Sequence, residues 1–175
     1  MGAGPFPLLW LCGPSGVGKS TVGWEIYTQL GREGVQAGYL DADQLGLSFP
    51  VPDDDPPNHR VKARNLGAVW PNFRSAGARC LIVSGILESP EAVRIYADST
   101  AGTAWTLCRL RVGHPELRER ILRRGWLTHL ADDSVRDAEA LERGDFADLC
   151  VDTGGLSAAE VARRVRERTG WPVVA

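Results

Sequence analysis

At 175 residues, with 43% hydrophobic and 24% charged residues, the chain has the size and composition of one globular domain, which excludes a disordered segment and leaves room for a sheet covered on both faces. A net charge of −2 supplies no electrostatic footprint for nucleic acid or an acidic membrane surface, so neither partner is expected. No apolar run reaches the length of a membrane span, the start Met1-Gly2-Ala3-Gly4-Pro5-Phe6 lacks a signal peptide's basic region, and the cysteines, Cys12, Cys80, Cys108 and Cys150, show no C-x-x-C spacing. Buried reduced thiols and a cytoplasmic location are the expectation.

The first apolar run, 8–12, reads as a strand and leads directly into Gly13-Pro14-Ser15-Gly16-Val17-Gly18-Lys19-Ser20, a complete G-x-x-x-x-G-K-S. Such a run cradles phosphates. Its glycines let backbone N–H groups turn inward, Lys19 reaches the β/γ-phosphates, and the Ser20 hydroxyl is placed for Mg²⁺. A helix over 20–30 follows, whose N-terminal dipole also favours an anion. Only Lys19 and Lys62 among the 20 cationic residues are lysine, so a compact ammonium at position 19 is a pointed choice. The cradle predicts a nucleoside triphosphate with Mg²⁺ as its occupant.

Further apolar runs at 36–41, 79–84, 104–110 and 148–152 alternate with helical patterns, which predicts an α/β fold with a parallel sheet. Ser89-Pro90-Glu91 supplies an N-cap with proline in the first turn, and Ser157 with Glu160 a capping box. The arginines of the last helix, Arg163, Arg164, Arg166 and Arg168, read as a solvated face. Two stretches exceed short loops. The first, 44–59, carries four prolines and the triple acid 53–55, and reads as irregular; the second, 113–133, is arginine-rich. Both leave the sheet where carboxyl strand ends gather around the phosphate loop, the usual ligand edge.

A phosphate loop of this type needs a nearby acid for the metal's water shell. The strand at 79–84 ends in Ser84-Gly85 without one, and Ser84 is a weaker candidate; the strand before it ends in Asp41-Ala42-Asp43. In extended chain, residues two apart share a side, so Asp41 and Asp43 both face the cleft. Asp41 is assigned to the metal with Ser20, and Asp43 to the proton of an attacking hydroxyl; the reverse assignment and a simple Asx turn satisfy the same spacing. Arg120 and Arg124 lie one helical turn apart, Arg123 shares part of their face, and Arg111 and Arg118 are near; guanidinium groups there would stabilise charge on a transferring phosphoryl group. Trp70 and Trp126 are candidates for stacking on an aromatic acceptor, and His59, His114 and His129 are read as surface or loop positions without a role.

The D-x-D together with the cradle resembles the small-molecule kinases of the nucleoside-monophosphate-kinase-like group: shikimate and gluconate kinases, chloramphenicol phosphotransferase and adenylyl-sulfate kinase. The resemblance spans nearly the whole chain. It implies a three-layer single domain over 1–175, a five-stranded sheet in order 2-3-1-4-5, an acceptor region at about 44–75 and a LID at about 113–133. It implies that Asp41 looks to the metal and Asp43 to the substrate hydroxyl, and that Arg60, Arg64 and Asn65 hold the acceptor. It also implies that Thr153 and Gly154, in a turn bordering the adenine, join residues 13–20, Thr21 and Arg120 around the nucleotide, with Lys19, Asp43, Arg120 and Arg124 catalytic. Ala42, Gln44 and Gly85-Ile86-Leu87-Glu88 depart from the adenylyl-sulfate kinase pattern. The expected function is phosphoryl transfer from ATP to a hydroxyl of a small molecule. An ATPase or regulatory module without an acceptor is the alternative; a GTPase switch, suggested by Asp152-Thr153-Gly154-Gly155, lacks any N-K-x-D.

Overall fold

The computed structural model describes residues 4–125 and 128–171. Five strands, β1 (Phe6–Cys12), β2 (Ala37–Asp41), β3 (Cys80–Ser84), β4 (Thr103–Arg111) and β5 (Leu149–Asp152), form one parallel sheet in the order β2-β3-β1-β4-β5. This is the expected order. Six helices connect and cover it: α1 (Lys19–Arg32), α2 (His59–Ser75), α3 (Pro90–Ser99), α4 (His114–Arg123), α5 (Ala131–Gly144) and α6 (Ala158–Thr169). None of the described helices is long and apolar enough to cross a membrane.

The strand at the centre is apolar on both sides, as parallel sheets require. Alternation divides β1 between two cores: Leu9 and Leu11 pack with Val22, Ile26 and Leu30 of α1 and Val161 and Val165 of α6, whereas Leu8, Trp10 and Cys12 pack with Leu66 and Trp70 of α2 and Tyr96 of α3. On that second face Trp10 stacks on Trp105 at 5.1 Å, meets Tyr96 at 4.7 Å and donates its Nε1–H to the Gly85 carbonyl. The caps are where the sequence puts them, with Ser89 opening α3 and a full Ser157–Glu160 capping box opening α6. The cysteines are free thiols; burial pushes Cys12 up to about 12 and Cys80 up to about 11.

Two features differ from expectation. The stretch after β2 is not wholly irregular, because Ala42–Gly46 forms a 3₁₀ turn. The helical spacing expected of Arg120 and Arg124 is that of α4, but α5, which begins as the arginine-rich excursion ends, is absent from the sequence reading. The buried positions of α5 are Ala131, Ser134, Ala138 and Leu141, so three of four are small and the apolar periodicity is faint.

Candidate functional site

The phosphate loop bridges β1 and α1 over residues 13–18. Gly13 (φ 140) and Gly16 (φ 84) hold conformations that side chains resist, and a Cβ there would lie 2.5 Å from the Leu110 carbonyl and 2.6 Å from the Ile121 side chain. The loop is thus closed down on β4 and α4 in a way only glycine permits. Lys19, 8% exposed, folds over it and donates to the carbonyls of Gly13 (2.9 Å) and Pro14 (3.1 Å). Burial draws its pKa below the usual lysine value, opposed by the carboxylates of Asp43 and Asp41.

Asp41 ends β2 opposite Ser84 and does two things at once. Its Oδ2 accepts from Ser20 Oγ at 2.7 Å, and its Oδ1 accepts from the backbone N–H of Asp43 at 3.0 Å, capping the 3₁₀ turn. Metal-side acid and Asx cap, open alternatives in the sequence, are therefore compatible in one carboxylate. Ser84, the weaker candidate, is committed elsewhere: Tyr39 Oη donates to the Ser20 carbonyl at 3.2 Å and stands 3.0 Å from Ser84 Oγ, whose hydrogen completes the pair.

Asp43 reaches the cleft from the 3₁₀ turn rather than from extended chain. Its Oδ1 accepts from Lys62 Nζ at 3.1 Å and from the Ile86 N–H at 3.3 Å, while Oδ2 has no partner among the described residues. Lys62, the second lysine, is a site residue that the motif reading missed; its rarity in an arginine-rich chain was the available signal. Its stem lies against Gly46, where a Cβ would come within 2.5 Å of Lys62 Cγ.

The residues expected to grip an acceptor are differently engaged. Arg60 forks onto Asp54 at 2.7 and 3.0 Å, with Asp55 at 3.6 Å; Asn65 donates to the Leu45 carbonyl at 2.7 Å; Arg64 is exposed on α2. None of the three lines the cleft of about 570 Å³ in front of Asp43 and Lys62. Trp70 is 8% exposed and packs on Phe6, so it belongs to the core; Trp126 lies outside the described residues. His59 corrects its reading as a surface or loop position. It is buried at the start of α2, with Nδ1 2.9 Å from Tyr96 Oη and Nε2 2.7 Å from Glu88. His114 opens α4 beside Glu139 and Glu142 of α5, and His129 sits in the short 3₁₀ turn Thr128–Leu130.

On the far side of the phosphate loop a second cleft, about 280 Å³, is lined by Gly16, Gly18, Thr21, Arg124, Thr153 and their neighbours. Arg120 spans it. Its guanidinium donates to the Val17 carbonyl (3.1 Å) and to Thr153 Oγ1 and O (both 3.0 Å), and pairs with Glu116 at 2.6 Å. The turn is held by Asp152, which accepts from the Gly154 N–H at 2.8 Å. Arg124, just past α4, is exposed and close enough to Lys19 to help depress its pKa.

Solved structures share this architecture. The Deinococcus radiodurans tunicamycin resistance protein superposes with a TM-score of 0.64 at 17% identity, covering 94% of this chain and 96% of its own. The Acinetobacter baumannii shikimate kinase gives 0.61 at 16% (97% and 96% covered), and the Mycobacterium tuberculosis APS kinase 0.60 at 20% (96% and 99%). The fold is that of the P-loop kinases. No curated protein sequence matches the chain. The family model described as an AAA domain, AAA_18, matches residues 9–142, from within β1 to near the end of α5, and the chain belongs to that family.

Proposed function

We propose that the chain is a kinase that transfers the γ-phosphoryl group of ATP, with Mg²⁺, to a hydroxyl of a small molecule. The observation that carries this reading is the split use of the D-x-D. Asp41 meets Ser20 at the phosphate loop, while Asp43, two residues on, opens toward the cleft of about 570 Å³ with Oδ2 unpartnered among the described residues. An ATPase would need the first acid; the second, held by a cation and facing an acceptor-sized space, suits proton transfer.

The donor set suits the metal. Ser20 Oγ and Asp41 Oδ2 are hard oxygen donors in contact beside the cradle and would hold Mg²⁺, which would supply positive charge against that of the phosphates. The chain's own residues then divide the work. Backbone N–H groups of 13–20 and Lys19 hold the phosphates; Arg120 and Thr153 bound the cleft for the base; Arg124, exposed in the lining of the same cleft, is available for charge on the transferring group. Asp43 Oδ2 takes the proton of the acceptor hydroxyl as the hydroxyl oxygen bonds to the γ-phosphorus, the bond from that phosphorus to the β–γ bridging oxygen breaks, and ADP leaves. Lys62 and the Ile86 N–H keep Oδ1 occupied and the carboxylate oriented.

The neighbours agree with this class: one is a shikimate kinase solved in complex with shikimate, another an APS kinase solved with AMPPNP and APS. The test is a mass-spectrometric screen for phosphate gain on hydroxyl compounds with ATP and Mg²⁺. Lys19→Ala is expected to abolish the gain, and Asp43→Ala to retain ATP binding while losing transfer by roughly 10²–10⁴-fold. Equal transfer by Asp43→Ala and the parent would refute the assignment of the base.

A further inference from the structure

The cleft in front of Asp43 has a lining unlike that of a site for a polar anion. Of the six exposed large hydrophobic side chains among the described residues, three lie within one stretch of five and line this cleft: Leu47 at 78% exposure, Phe49 at 97% and Val51 at 40%. A fourth, Ile86 at 38%, offers its N–H to Asp43. Pro56 and Pro57 extend the apolar surface. Single exposed apolar side chains are ordinary, but a cluster around a concavity marks a ligand groove.

The charges point the same way. Lys62 is the one cation among the described residues lining the cleft, and Asp43 already neutralises it. Arg60, expected to hold an anion, is occupied by Asp54, and the acids 53–55 stand beside the same loop. Among the described residues lining the cleft an anionic acceptor would meet the paired Asp43 carboxylate and no guanidinium. At about 570 Å³ the space falls within the range for drug-sized ligands, which are held mainly by apolar contact with a few polar groups for orientation.

We propose that the acceptor is a hydroxyl compound with an apolar or aromatic, largely uncharged body, which packs against Leu47, Phe49 and Val51 and presents its hydroxyl to Asp43. The assignment rests on the kinase reading. Its test uses naphthylmethanol as the apolar probe and gluconate and shikimate as polar ones, on the full chain with ATP and Mg²⁺. Naphthylmethanol is expected to shift the NMR methyl signals of Leu47 and Val51 and to gain phosphate mass. Phe49→Ser is expected to raise its KM roughly tenfold, the ratio that losing one buried aromatic contact implies. Phe49 is exposed, so the variant folds, which a melting curve checks.

Phosphate gain on gluconate or shikimate alone, with a KM indifferent to Phe49→Ser, overturns the apolar class and leaves the kinase reading standing. Methyl shifts by naphthylmethanol that Phe49→Ser abolishes, with no phosphate gain on any probe, support the apolar class and overturn the kinase reading. Absence of both shift and gain with naphthylmethanol overturns the proposal.

Discussion

Asp43 and Lys62 form an asymmetric ion pair, and the asymmetry predicts unequal costs for removing its two ends. At 3.1 Å the attraction is about 5 kcal/mol at an effective dielectric of about 20. Against it stands desolvation, which falls mainly on Lys62, whose side chain is 10% exposed, whereas Asp43 keeps 30% and remains partly hydrated. Asp43→Ala leaves a largely buried ammonium, its stem packed on Gly46, without its ion-pair partner and with only the more distant Glu88 carboxylate, at a cost of about 3 kcal/mol, the low end for a broken buried pair. Lys62→Met retains the apolar stem and returns Asp43 to water, at a cost of about 1 kcal/mol or less. The double variant removes the stranded charge as well, and is expected within about 1 kcal/mol of Lys62→Met alone, a coupling of roughly 2–3 kcal/mol. Urea denaturation at neutral pH measures all four corners of the cycle by linear extrapolation. Single costs that add to within about 0.5 kcal/mol would refute the reasoning, because uncoupled residues behave that way.

Two further outcomes follow from contacts away from the reaction. Tyr96→Phe keeps the ring against Trp10 but removes the hydroxyl beside His59 Nδ1, leaving a buried ring nitrogen unpaired; the expected loss is about 1–3 kcal/mol in urea denaturation, and a loss below about 0.5 kcal/mol would mean the pair contributes nothing. Glu33 at the end of α1 takes a two-pronged bond from Arg166 of α6 at 2.5 and 2.7 Å, which holds its carboxyl below the usual glutamate value. A carboxyl depressed on folding stabilises above its unfolded pKa of about 4.5 and loses that contribution as pH falls through the folded value, so the parent and Arg166→Ala should differ in urea midpoint at pH near 7 and converge at pH near 3. A gap that persists unchanged in acid would show that Arg166 acts by packing alone.

What the sequence disclosed about the fold was what local chemistry decides. The strands carry unbroken apolar runs because both faces of a parallel sheet are covered, and Ser89 and Ser157 announce helix starts because their hydroxyls accept from backbone N–H groups one turn on. α5 escaped notice for an equally physical reason. Its buried positions are mostly alanine and serine, and small residues leave no periodic apolar signature. His59 escaped because its burial depends on Tyr96 and Glu88, thirty-seven and twenty-nine residues away, and no spacing rule connects them.

The two sides of the site show the same division. The phosphate side was readable because one contiguous octapeptide supplies most of it and Asp41 needs only to end β2, one strand removed from β1. The acceptor side depends on which of several acids captures each cation. Arg60 has Asp54 and Asp55 within six residues, a separation outside the regular helical contacts at three and four, and the pairing arises because Asn58 adopts a left-handed conformation (φ 58) that turns the acidic stretch back over the start of α2. Asp55 then caps that helix by accepting from the N–H groups of His59 and Arg60, which brings Asp54 under the Arg60 guanidinium. With Arg60 so occupied, Lys62 is left facing Asp43, and the cleft beyond them is walled by the apolar residues of 47–51. On the apolar-acceptor proposal, selectivity would follow from this one helix start: Asp54→Ala removes the fork on Arg60 and leaves only the Asp55 contact at 3.6 Å, so it is expected to raise affinity for anionic probes such as gluconate without altering a residue that lines the cleft.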